Sequence, residues 1–168
     1  MSGGAVVWVL GLPSSGKSTL ARHIATRLRA GGRAVALLDG DQVRKALDPR
    51  PGYDPASRSR FYGTLAHLAA LLAKQGLVAV VAATANRRAF RERARALAPR
   101  FVEVFVDVPV EVCAERDAKG LYKQAREGKI SGLPGVDVAY EEPLAPDLVA
   151  LGGYDEEALH RIVKACGG

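Results

Sequence analysis

The stretch Gly11-Leu12-Pro13-Ser14-Ser15-Gly16-Lys17-Ser18-Thr19 constrains this chain more than any other. It reads G-x-x-x-x-G-K-S. An apolar run, Ala5–Leu10, precedes it, and a helical pattern opening on Leu20-Ala21-Arg22-His23-Ile24 follows. A strand that turns through glycines into a helix is the setting of a phosphate-binding loop. Glycine lets the loop close tightly, so that backbone N–H groups point inward at phosphate oxygens. The helix start adds free N–H groups and the positive end of its dipole. In that setting Gly11, Ser14, Ser15, Gly16, Lys17, Ser18 and Thr19 cradle a triphosphate. Lys17 reaches the β- and γ-phosphates and the Ser18 hydroxyl ligates Mg²⁺. The competing reading, a glycine-rich turn that holds nothing, is disfavoured by the strand and helix on either side.

Short apolar runs alternate with helical patterns along the rest of the chain, which signals an α/β fold with a parallel sheet. Strands are expected at Ala5–Leu10, Ala34–Leu38, Leu77–Ala82, Val102–Val106 and Leu148–Leu151. Helices are expected at Lys17–Ala30, Gln42–Leu47, Arg58–Gln75, Arg87–Ala98, Val110–Glu115, Leu121–Glu127 and Asp155–Ala165. Gly31-Gly32 and Gly76 are the expected helix stops. The length, 168 residues, suits one domain with a real core. Gly128–Pro146 lacks periodicity and reads as a functional loop. The lid region is taken as about 117–146.

Apolar residues make up 48% and charged ones 25%, which excludes a disordered or membrane-embedded chain. No apolar run approaches the roughly 18 residues of a bilayer span, and no signal peptide is recognisable, so a cytoplasmic protein is expected. The net charge of +6 suits small polyanions as well as nucleic acid. No aromatic residues interleave the basic run at Arg87–Arg100 as single-strand binders require, so nucleic acid is not expected. Cys113 and Cys166 lack metal-ligand spacing. His23, His67 and His160 sit in no ligand pattern and are expected in core or surface roles.

The second expected strand ends in Leu38-Asp39-Gly40-Asp41-Gln42-Val43-Arg44. Ligands in open α/β sheets bind outside the carboxyl ends of strands. A carboxylate there can orient or deprotonate an attacking hydroxyl, or hold a metal ion or its water. Arg44 could grip an anionic acceptor by a bidentate contact. Against this, either Asp39 or Asp41 could simply cap the next helix. Further on, Arg116, Lys119, Lys123 and Arg126 recur at spacings that place the last three near one helical face. A solvated face is the plain reading, and a cationic closure over phosphates is the functional one.

Together these residues resemble the adenylylsulfate kinases, which phosphorylate the ribose 3′-hydroxyl of adenylyl sulfate. Three blocks carry the likeness: Gly11–Thr19, Leu38–Arg44, and the stretch FVEVFVDVPVEVCAERDAKGLYKQAREGKISGLPGVDVAYEEP that opens at Phe101. The resemblance covers most of the chain. It implies a three-layer, nucleoside-kinase-like P-loop NTPase fold with a five-stranded parallel sheet. It implies ATP as donor, Mg²⁺ as cofactor, adenylyl sulfate as acceptor, and a homodimer among the expected assemblies. Catalytic roles then fall to Lys17, Asp41 and Arg116. Nucleotide contacts add Arg116 to the loop, metal ligation falls to Ser18 and Asp41, and acceptor contacts fall to Asp39, Arg44, Tyr53, Arg58, Lys123 and Leu133.

Departures cluster on the acceptor side. Tyr53 and Arg58 match the family's phenylalanine and arginine. Ser57 stands in place of an aspartate and Phe61 in place of an asparagine. Gly63 and Thr64 replace an arginine pair, and Leu133 stands where a second phenylalanine closes the sandwich on the adenine. These changes predict a weaker grip on adenylyl sulfate, which Leu133→Phe with Phe61→Asn and Gly63→Arg should tighten. They also keep open a kinase for another hydroxylated anion, and, in a different class, an ATP-binding regulatory subunit with little catalysis.

Overall fold

The computed structural model describes residues 3–167. Five parallel strands form one sheet: β1 (Ala5–Leu10), β2 (Val35–Asp39), β3 (Val78–Ala82), β4 (Phe101–Val106) and β5 (Leu148–Ala150), in the order β2-β3-β1-β4-β5. The helices are α1 (Lys17–Ala30), α2 (Gly40–Ala46), α3 (Pro55–Lys74), α4 (Arg88–Leu97), α5 (Val110–Arg116), α6 (Leu121–Arg126) and α7 (Glu156–Gly167). All six residues of β1 are buried, as a central strand covered on both faces requires. Its side chains alternate between two cores. Val7 and Val9 pack in one core with Leu20, Ile24, Leu159 and Ile162 of α1 and α7. Val6, Trp8 and Leu10 pack in the other with Leu65, Ala69 and Phe90 of α3 and α4. Each large apolar side chain so buried contributes on the order of 1.5–3 kcal/mol. The sheet thereby fixes the carboxyl ends of β1, β2 and β3, from which the phosphate loop, the Asp39–Asp41 corner and Thr84 emerge.

Two expected helix starts and one expected helical face change for identifiable reasons. α3 begins at Pro55 and not Arg58, because Asp54 caps it by accepting from Ser57 N–H at 3.1 Å and Pro55 occupies the first turn. α2 begins at Gly40 and not Gln42, because Asp39 is the cap. Lys119 does not share a helical face with Lys123 and Arg126. The chain breaks at Asp117 (φ 38°) and Gly120 (φ 70°), and the Asp117 carboxylate caps α6 by accepting from the Tyr122 and Lys123 amides at 2.9 and 3.0 Å. Lys119 therefore lies in the turn between α5 and α6.

Candidate active site

A cavity of about 1140 Å³ opens at the carboxyl end of the sheet. The phosphate loop forms its floor. Gly16 adopts φ +102°, a left-handed conformation natural to glycine, and a Cβ there would lie 2.8 Å from the Gly153 nitrogen. Polar groups hold the loop's carbonyls from behind. Lys17 Nζ donates to Leu12 O at 2.9 Å and Tyr122 Oη donates to Pro13 O at 2.8 Å. Arg116 reaches Ser15 O at 3.5 Å, and the Ala118 amide donates to Ser14 Oγ at 3.1 Å. With the carbonyls tied back, the first-turn amides of α1, which have no helical partner by geometry, are left for an anion. Burial, then the neighbouring Lys119 ammonium, lower the Lys17 pKa to about 7. A polyanion in the cavity reverses that balance.

The Asp39–Asp41 corner divides its work. Asp39 Oδ1 accepts from the Asp41 and Gln42 amides at 3.0 and 3.4 Å, so Asp39 is the helix cap. Its Oδ2 accepts from Ser18 Oγ at 2.6 Å. Asp41 is free of capping duty and pairs with Lys119 across the cavity. The oxygen pair beside the phosphate loop is thus Ser18 with Asp39, whereas Ser18 with Asp41 was the metal pair expected from sequence. Among the described residues no group of three or more His, Cys, Asp or Glu side chains could hold a metal ion by itself. A hydroxyl and one carboxylate suit Mg²⁺, which takes oxygen ligands and fills the remainder with water and phosphate oxygens.

The far end of the cavity is built around Arg44. This side chain is 4% exposed, with its guanidinium 4.3 Å from the Tyr53 ring centroid and 4.0 Å from that of Phe61, and it donates to Gly52 O at 3.0 Å. Arg58 donates to Gly132 O, which joins α3 to the 117–146 segment. Leu133 is nearly buried and lines the same wall.

The structure brings Ser14, Gly16, Lys17, Ser18, Thr19, Asp39, Asp41, Arg44, Tyr53, Arg58, Arg116 and Leu133 to this cavity's wall. Gly11 and Ser15 lie behind the loop: Ser15 is fully buried, and a Cβ on Gly11 would meet its Oγ at 2.7 Å. Lys123, expected at the acceptor, is not on the wall, and Lys119 takes that place. Gly63 and Thr64 are not on the wall either. A Cβ at Gly63 would sit 3.1 Å from Arg93 Cζ, so Gly63→Arg displaces Arg93 and does not reach an acceptor. Phe61 lines the cavity wall and supports Arg44 from the core, so Phe61→Asn removes that support. The position of Gly63 against Arg93 therefore lends no support to the expected tightening by Gly63→Arg. Sequence reasoning missed Leu151-Gly152-Gly153-Tyr154-Asp155, which form the wall beside the phosphate loop. The Gly152-Gly153 pair, one residue past β5, was the available signal.

Comparison with known proteins bears on the same residues. The Adenylylsulphate kinase family model matches residues 3–151. An adenylyl-sulfate kinase of Paraburkholderia xenovorans is 44% identical over 147 residues, covering 87% of this chain and 82% of that protein. The solved structure of a Mycobacterium tuberculosis APS kinase in complex with AMPPNP and APS superposes with a TM-score of 0.88 at 36% identity, covering 96% of this chain and 97% of that one. A hexameric APS kinase from Thiobacillus denitrificans has a TM-score of 0.71 at 30% identity, over 97% of this chain and 28% of that one.

Proposed function

This chain belongs to the adenylylsulphate kinase family, and from that premise we propose that it transfers the γ-phosphoryl group of ATP to the 3′-hydroxyl of adenylyl sulfate. The observation that carries this reading is one continuous cavity lined both by the phosphate loop and by the Arg44–Tyr53–Arg58–Leu133 end. Donor and acceptor then meet in a single space, with Lys17, Lys119 and Arg116 facing the charge of the transferring group.

In this mechanism the loop amides and Lys17 bind the β- and γ-phosphates. Asp41 receives the proton of the acceptor hydroxyl as its oxygen attacks the γ-phosphorus and ADP leaves. Lys119 turns from Asp41 to the phosphates when the site fills. Arg44 and Arg58 bind the acceptor's anionic groups, while Tyr53 and Leu133 cover the two faces of its base. Ser18 and Asp39 would hold Mg²⁺, which supplies charge neutralisation on the β- and γ-phosphates when bound. The 117–146 segment closes over the site as a lid, and the same reading includes assembly as a homodimer. No described helix is long and apolar enough to cross a membrane.

A coupled assay of ADP release over a panel of hydroxylated anions, adenylyl sulfate first, tests the proposal. Adenylyl sulfate is expected to give the highest kcat/KM. A higher value for another acceptor transfers the assignment to that compound.

A further inference from the structure

Consecutive residues of the phosphate loop, from Leu12 to Ser15, are each held by a residue of the stretch that runs from Arg116 to Gly135. Ser15 O accepts from Arg116 at 3.5 Å, Ser14 Oγ accepts from the Ala118 amide at 3.1 Å, and Pro13 O accepts from Tyr122 Oη at 2.8 Å. The remaining contact is apolar. Leu12 lies against Gly135, where a Cβ would come 2.7 Å from Leu12 Cδ2 and 3.7 Å from Val110 Cγ2. Gly135 also adopts φ +89°, which glycine takes without strain. Leu12 is not on the wall of the active-site cavity. With Gly135 it lines a second cavity of about 580 Å³, beside Val108, Val110 and Val138. Its side chain is therefore turned from the phosphates and towards the turn that carries Leu133.

That turn is a closed unit. The Asp137 carboxylate accepts from the Gly132 and Leu133 amides at 2.6 and 2.7 Å, and the Gly135 amide donates to Val138 O at 2.9 Å. A shift at Gly135 therefore reaches Leu133, and through Gly132 O it reaches Arg58. At its other end Leu12 is tied to the donor site. With the site empty, Leu12 O accepts from Lys17 Nζ at 2.9 Å, and Lys17 is the group that a phosphate draws away. We propose that Leu12 is a positioning residue that couples the two ends of the cavity: its side chain, seated against Gly135, passes occupancy of the phosphate loop to the Leu133–Arg58 wall, so that a bound nucleotide tightens acceptor binding. The sign follows from order. Phosphate fixes the loop, the wall braced on Leu12 is then ordered before the acceptor arrives, and the second ligand loses less freedom. The direct effect between two anions is repulsive, so a measured tightening has to come through the protein. The second cavity leaves the turn room to move with Leu12. The inference rests on adenylyl sulfate being the acceptor.

Calorimetric titration of the full chain with adenylyl sulfate, with and without saturating Mg-ADP, reads the coupling. In wild type, ADP should lower the adenylyl sulfate Kd on the order of tenfold, within the usual range for coupled sites. Leu12→Ala should bring that factor below about twofold, while the Kd of each ligand alone stays within about threefold of wild type. Leu12→Met, which can refill the contact, should restore most of the factor. Gly135→Ala, which crowds Leu12 from the other side, should lower it. Leu12→Val, a smaller truncation, should fall between wild type and alanine, and carries the test if the alanine variant melts below the assay temperature. A merely structural contact would leave the factor untouched. An unchanged factor in the truncated variants, or no coupling in wild type, overturns the inference and leaves the acceptor assignment standing. If wild type binds ADP but takes up no adenylyl sulfate in either titration, the acceptor assignment falls and takes the inference with it.

Discussion

The Arg44 guanidinium stacks 4.0 Å over the Phe61 ring and is tied to Gly52 O, so an arginine only 4% exposed is held with no carboxylate partner among the described residues. A cation over a desolvated aromatic face gains about 2 kcal/mol, and its remaining N–H groups stay available to an anion. Phe61 is therefore a support for the acceptor end and also a core residue among Leu65, Ala69 and Phe90. Phe61→Leu should keep the core, lose the stacking, and raise the acceptor KM several-fold with the ATP KM unchanged. Phe61→Asn should cost about 2–4 kcal/mol, because it leaves a cavity and buries an amide. Thermal melts of both variants, beside acceptor titrations, check the separation.

Lys17 gives a pH dependence whose sign is fixed by its lowered pKa of about 7. Between that value and the ordinary lysine range, the empty protein holds Lys17 largely neutral, whereas the unfolded chain holds it charged. Stability of the empty form from this group therefore rises with pH across that window and is lowest below pH 7. Phosphate in the loop restores the charge. ADP binding at pH 8.5 should take up a fraction of a proton, and affinity should fall as pH rises above about 7. Calorimetry in two buffers of different ionisation enthalpy reads this uptake, which Lys17→Ala should lack.

Asp39 serves two partners, and substitutions can separate them. Asp39→Asn keeps an acceptor for the Asp41 amide but loses the charge facing Ser18. Its melting temperature should hold within a few degrees, while the Mg²⁺ concentration for half-maximal rate rises about tenfold or more. Asp39→Ala should lose the cap as well, at about 1 kcal/mol. Metal titrations at fixed ATP distinguish the two.

Asp41 has no capping duty, so its removal should act on rate. Asp41→Asn should lower kcat by about a hundredfold or more, the scale of a lost acid–base group, and should leave the melting temperature within a few degrees. Normal turnover would reduce Asp41 to a tether for Lys119.

Much of the fold was legible because it rests on local signals. The buried run Ala5–Leu10 and the helix Lys17–Ala30 fall where the apolar pattern and the Gly31-Gly32 stop place them. The Asp54-Pro55 start of α3 was equally local and was overlooked. What could not be read was set by contacts distant in sequence. Asp39 and Asp41 are chemically identical in the chain, and only Ser18 and Lys119, packed from other elements, assign them different partners. Gly63 looked like a lost acceptor contact until Arg93 of α4 was found against it. Apart from the Gly152-Gly153 pair, loop residues 151–155 carry no sequence signal, and they join the site because β5 returns the chain beside α1.

Direct product analysis is the most decisive measurement for the whole reading. The protein is incubated with ATP, Mg²⁺ and adenylyl sulfate, and the product is characterised by mass and by ³¹P coupling to the ribose. Stoichiometric ADP with a single new phosphate on the 3′-oxygen, abolished in Lys17→Ala, is the expected result. ATP bound at the loop with no phosphate appearing on adenylyl sulfate, even at saturating acceptor, would contradict it.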